Sequence, residues 1–232
     1  MRHYFLWNGT DSRTKHIRVP SAVPVVQPEE RIDRVTIPGR RGEVTLTEGA
    51  DIYSGYIQSV DITVEGKANI PAVQNWLKGA GVITFDTQPT FAQNARVIGS
   101  GTFERHSRNL DLWHATVQFY CEPVKSSTTE QAITVTTSGT SVNNTGDMTA
   151  YPLIEITGSG AVTVAAGGNT LVIPDCTSGW VIDSENEWIL SGNTPQEQVC
   201  SGSFPVLLNG ANAVTFTGSV TKLTITPRFR YL

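Results

Sequence analysis

Charge is scarce in this chain, and what there is leans negative. Only 16% of its 232 residues are Asp, Glu, Lys or Arg, and the formal net charge is −4; globular chains usually carry about a quarter charged residues. A sequence pI of about 5.6 removes the basic stripe that marks a nucleic-acid binder, so no specific nucleic-acid binding is expected. Cysteine is scarce too. Cys121, Cys176 and Cys200 are an odd number, with no CxxC and no histidine at ligand spacing. That argues against a disulfide framework or a zinc site, and for buried free thiols. No apolar run approaches the ~20 residues that span a bilayer, so no membrane insertion is expected. Tyr4-Phe5-Leu6-Trp7 is too short for the apolar part of a secretory signal and runs straight into Asn8-Gly9. The expectation is a chain made in a reducing cytoplasm, without an export route of its own.

The usual catalytic signatures are missing as well. His3, His16, His106 and His114 are not spaced as a metal pair, and there is no HExxH, GxSxG or phosphate-loop motif. Gly158-Ser159-Gly160 lacks the Lys that would make it a phosphate cradle. Neither metal, cofactor nor enzymatic activity is expected. The best catalytic candidates are Asp183, Glu185 and Glu187, since paired carboxylates can act as general acid and nucleophile on a sugar. The same letters describe a polar turn between Trp180-Val181-Ile182 and Trp188-Ile189-Leu190. The turn is the reading adopted, because carboxylates without a recognisable cleft carry little specificity. Trp180 and Trp188 are candidate sugar-stacking faces, but they flank the turn, and core or hairpin packing is the reading adopted for both.

Gly, Ser, Thr and Val are abundant and long helical patterns are absent, which suits short strands joined by turns. Residues 1–125 hold 14 of the 17 Lys and Arg against 13 of the 21 Asp and Glu, a balance of +1; residues 126–232 stand at −5. This step supports two domains of different character. In the first half, Tyr4 to Trp7 reads as a strand, Asn8-Gly9 followed by Thr10-Asp11-Ser12 as its turn and Lys15 to Val19 as the return. Pro20, Pro24 and Pro28 punctuate an extended arm. Ile57 to Glu65 alternates cleanly, as a half-buried strand does. One helix follows, with Asn69 as N-cap, Pro71 in the first turn, Gly79 as stop, and Ile70, Val73, Trp76, Leu77 and Ala80 on one apolar face. Leu112 to Tyr120 is a longer strand. Residues 125–131 are polar and read as a linker. Beyond it, strand-like segments broken by Gly158-Ser159-Gly160, Gly167-Gly168 and Asn209-Gly210 imply a second β-sandwich. The expected fold is mainly β: an N-terminal β-sandwich over 1–124 with one packed α-helix, and a C-terminal β-sandwich over 132–232.

Ile37-Pro38-Gly39-Arg40-Arg41-Gly42 is the sharpest feature of the first half. Pro38 fixes φ and Gly39 admits φ > 0, so the segment reverses the chain between two β-type runs. Locally Arg40 and Arg41 read as solvated turn residues.

Motif order carries a resemblance. Trp7-Asn8-Gly9, Pro28-Glu29-Glu30-Arg31, Ile37 to Gly42 and the Tyr-containing strands from Asp51 to Glu65 follow one another as in the N-terminal region of phage distal tail proteins. Asn143-Asn144-Thr145-Gly146-Asp147 leading to Ala150 to Gly158, then Val181 to Glu185, Gly202 to Asn212 and Thr224 to Arg228, resemble that family's C-terminal domain. The resemblance implies a structural virion protein: a homo-hexameric ring joining the tail tube to the tip of a long, non-contractile-tailed phage, made in the bacterial cytoplasm. It implies a ring-building N-terminal domain and a galectin-like, jelly-roll C-terminal domain. Implied partners are other copies of itself, the tail tube protein, a tail-tip protein and receptor-binding proteins. In that setting Pro24, Pro28, Arg40 and Arg41 become candidate intersubunit contacts. The alternative is a carbohydrate-binding adhesin that meets cell-wall sugars through Trp180 or Trp188.

Overall fold

The computed structural model describes residues 3–47, 49, 51–99, 101–106, 109–177 and 179–232. The chain is mainly β and divides into two compact units after Thr128.

In the first unit, strand β1 (Phe5–Trp7) turns through Asn8 and Gly9, both at positive φ (49° and 74°), into β2 (Thr10–Asp11). Two residues of this kind match the twist of a tight hairpin. The return strand expected at Lys15 to Val19 is therefore mistaken. Asp11 instead caps a 3-10 turn, Ser12–Lys15, by accepting from the Arg13 N–H. That turn redirects the chain, and β3 (Ile17–Arg18) pairs elsewhere, with β6 (Tyr56–Glu65). Between them stands a hairpin, β4 (Ile32–Thr36) and β5 (Glu43–Thr47).

After β6 come a 3-10 turn (Lys67–Asn69) and the helix α1 (Ile70–Trp76). The helix is shorter than its apolar pattern suggests. Asn69 does not cap it; its Nδ2 donates to the Glu65 carbonyl at 2.6 Å. Gly79 takes φ 72° and its carbonyl accepts from the Val97 N–H at 2.9 Å, which draws the chain into the sheet. Ala80 thus opens β7 (Ala80–Phe85) instead of closing the helix face. Strands β8 (Phe91–Gly99), β9 (Glu104–Arg105) and β10 (Leu112–Ser127) complete the unit.

The antiparallel order is β2-β1-β7-β8-β10-β6-β3, and a bridge between His3 and Val19 brings its two margins together. Inside the curled sheet Phe5, Trp7, Ile62, Val64, Ile83 and Phe119 are almost fully buried, each such side chain contributing about 1.5–3 kcal/mol. Trp76 closes this core by stacking on Phe5 at 5.8 Å.

The stretch read as a linker, 125–131, is not all linker. Lys125, Ser126 and Ser127 continue β10 opposite Gln93, Ala92 and Phe91. A bulge between Cys121 and Lys125 restores register with β8, so their backbone groups stay paired, and Lys125 is buried.

The second unit contains β11 (Ile133–Val135), β12 (Thr140–Asn144), β13 (Leu153–Ala166), β14 (Asn169–Cys176), β15 (Trp180–Asp183), β16 (Trp188–Ser191), β17 (Thr194–Pro195), β18 (Ser201–Gly202) and β19 (Gly210–Thr226). Gly158-Ser159-Gly160 does not end a strand as expected. β13 runs through it beside β19, with register shifts on either side. A side chain on Gly218 (φ 92°) would place its Cβ 2.2 Å from the Ala161 carbonyl oxygen. The glycines thus permit a bulge with close backbone approach, not a reversal. One half of the β13–β19 pair joins β11, β15, β16 and β17; the other joins β12, β14 and β18. Ile154, Ile156, Val164, Ile173, Ile182 and Leu223 line the core between them.

Candidate assembly site

The β4–β5 hairpin is built from local chemistry alone. Arg40 donates its backbone N–H to the Ile37 carbonyl at 3.1 Å, with Pro38 next and Gly39 at φ 85°. That is a type II turn, with Pro and Gly at the two positions that favour them. The strands pair from Ile32↔Thr47 to Thr36↔Glu43. At its root, Arg31 donates to the Ile52 carbonyl (2.9 Å) and Ser54 to the Glu29 carbonyl (2.8 Å).

Beyond the root, the two strands form a sheet of their own, with no further strand among the described residues. Register sorts the side chains by face. Val35 lies opposite Val44, and Asp33 opposite Leu46, on one side; Arg34, Thr36, Glu43 and Thr45 occupy the other. The apolar side is uncovered: Val35 is 42% exposed and Leu46 53%. Two strands alone are marginally stable in water. An amphipathic hairpin with an open apolar face is a surface suited to a partner.

The sequence-predicted contacts fall differently. Arg40 and Arg41 sit at the exposed tip of this hairpin. Pro24 is exposed, beside Val25 at 59%. Pro28 is buried, as is Val23 of the same arm.

In the second unit the two tryptophans separate. Trp180 is 4% exposed and donates its ring N–H to Thr177 Oγ1 at 3.1 Å, so neither ring face is open to a sugar. Trp188 is 55% exposed. Strand alternation tells them apart, because Ile182 and Ile189 face the core beside Trp180 and leave Trp188 outward.

The acidic group between them is a turn. Asp183 accepts from the backbone N–H of Glu185 and of Asn186, and from Asn186 Nδ2. Arg228 clasps it with two hydrogen bonds, at 2.7 and 3.2 Å. Arg230 pairs with Glu185 at 2.7 Å and lies over the Tyr151 ring. Burial pushes the Asp183 carboxyl up, but the hydrogen bonds from Arg228 and Asn186 outweigh it and hold the group at about 2. Such a group is ionised at neutral pH and unfit as a general acid there. Arg228 is the residue the sequence reading missed here; it is 45 positions from its partner.

Among the described residues no group of three or more His, Cys, Asp and Glu is placed to hold a metal ion. Among the described residues no helix is long and apolar enough to cross a membrane.

No family model and no curated protein matches the sequence. In fold, 99% of the chain is similar to 99% of a solved chain from phage SPP1, with a TM-score of 0.78 and 20% identity. That crystal structure is of the SPP1 Dit (gp 19.1) protein, described as a paradigm of the hub adsorption apparatus in phages infecting Gram-positive bacteria. The present chain shares its fold from end to end.

Proposed function

We propose that this chain is a structural hub of a phage tail tip: a protein that closes with copies of itself into a hexameric ring between the tail tube and the tip. Likeness in fold along the whole chain to a hub protein is the observation that carries this reading. The role asks for no catalytic centre. It asks for surfaces that mate with identical neighbours around a closed axis, and the uncovered β4–β5 hairpin is one such surface. The proposed partners are further copies, the tail tube protein and a tail-tip protein, and the proposed place is the virion tail tip. Gold-labelled antibody on intact particles tests the placement. Label at the tail tip is expected; label on the capsid or along the tube would contradict it.

One observation supports a second reading. Trp188 is an exposed platform on the second unit, as a cell-wall adhesin would need. Binding to host cell-wall polysaccharide, lost in Trp188→Ala, would favour it; no binding by the full chain would remove it.

A further inference from the structure

Three of the chain's four histidines gather where the margins of the first unit's sheet come together. The bridge between His3 and Val19 sets that place, beside the pairing of β3 with β6. Two cavities there share His3 and Arg18. One, of about 330 Å³, is also lined by Val19, Pro20, His106 and Leu112. The other, of about 200 Å³, is also lined by Arg13, His16, Ile17 and Glu65. Backbone contacts hold the histidines in place. His16 ends the 3-10 turn at φ 59°, a left-handed conformation that His adopts more often than most residues. Its carbonyl accepts from the Glu65 N–H at 2.9 Å, and the His106 N–H donates to the Leu112 carbonyl at 2.9 Å. Glu65 holds Arg18 through Nε, and Asp86 holds His3 through Nδ1 at 2.7 Å. Among the described residues, Nη1 and Nη2 of Arg18 and the ring nitrogens of His16 and His106 have no protein partner for a hydrogen bond. A neutral imidazole still carries one N–H donor. Arg18, His16 and His106 thus bring unused donors to one place, and His3 Nε2 joins them when its ring is protonated.

We infer that this paired cleft is a binding site for a small organic phosphate. The phosphate group lies at the shared wall, on Arg18, whose planar fork suits phosphate oxygens. Imidazoles from either cavity add donors to it. The organic part lies in the larger cavity, against the apolar wall of Val19, Pro20 and Leu112; pockets for small molecules combine such walls with a few placed polar groups. A cation is a poor fit, because Glu65 is the one carboxylate lining either cavity among the described residues and Arg18 already engages it. A neutral ligand leaves the charge of the cleft unanswered, since Arg13 and Arg18 face Glu65 alone there. The remaining carboxylates nearby are committed: Asp11 to Arg13, and Asp86 to His3. The site belongs to the first unit by itself and does not depend on the ring reading.

Phosphorus NMR titration of the full chain tests this, with phenyl phosphate in one arm and inorganic phosphate in the other. Saturable binding of phenyl phosphate is expected, roughly tenfold tighter than inorganic phosphate because the ring gains apolar contact. Arg18→Gln with His106→Gln removes donors at two exposed positions. It should melt as wild type does and bind phenyl phosphate at least about tenfold more weakly. Should that variant melt early, His106→Gln alone, which breaks no ion pair, carries the same test. Lys222→Gln, an exposed cation of the second unit, should leave binding unchanged. No saturable binding overturns the inference. So does binding that the Arg18 and His106 changes leave intact, or that Lys222→Gln lowers as much, since the attraction is then diffuse. Inorganic phosphate bound as tightly as phenyl phosphate overturns the organic ligand and leaves an adventitious ion only.

Discussion

Asp183 and Arg228 show what single residues decide. Two hydrogen bonds from one guanidinium, plus three from the turn, hold the carboxylate where burial would otherwise penalise it. Its folded value of about 2 lies below the ordinary 3.8. A depressed carboxyl adds stability above its unfolded value and loses it as pH falls through the folded one. Stability should therefore drop between about pH 4 and pH 2, by about 2 kcal/mol for this group. Asp183→Asn should cost a similar amount at neutral pH and flatten the acid limb of urea-unfolding curves taken across that window. An unchanged limb would mean the clasp does not hold in solution. The Asp183-Ser184-Glu185-Asn186-Glu187 turn was legible in sequence, since polar letters separated two apolar runs. Its partner was not, because nothing local ties position 228 to position 183. The contrast between Trp180 and Trp188 was hidden in the same way: either parity of the strand was open until a core set it.

At the scale of elements, the hairpin was the most legible part of the chain. Pro38 and Gly39 specify their own turn, and the structure puts them where a type II turn needs them. Gly39→Ala meets no side chain, so its cost is the strained φ alone, about 1 kcal/mol felt by the hairpin. Faster amide exchange confined to β4 and β5 would report it, with the global melting temperature unchanged. Gly218→Ala should behave otherwise. Strain adds to a Cβ 2.2 Å from a backbone oxygen, so loss of more than about 3 kcal/mol from the second unit is expected in chemical unfolding. The helix and the long strands were legible in kind but not in extent. A period of apolar residues cannot show that Gly79 turns away, and glycines inside β13 read as a stop because a bulge and a turn use the same residues. The end of β10 was hidden for a related reason: polar side chains do not reveal that their backbone still has a neighbour to pair with.

For the whole molecule, two units fold around separate cores. The first unit exposes Val35 and Leu46 on its hairpin and Ile57, Val82, Ile98 and Tyr120 on its sheet. Both are costly features for a chain that acts alone and useful ones for a chain that closes a ring. Arg40→Glu with Arg41→Glu separates folding from assembly. Surface changes of this kind leave stability within about 0.5 kcal/mol, so the monomer's melting temperature should hold while the ring is lost. A ring that survived this charge reversal would return the two arginines to solvated turn residues. The mass of the purified wild-type chain at high concentration, by native mass spectrometry, bears on the hub most directly. Six copies of the 25.1 kDa chain should appear as one closed species of about 150 kDa; a monomer persisting at every concentration would contradict it.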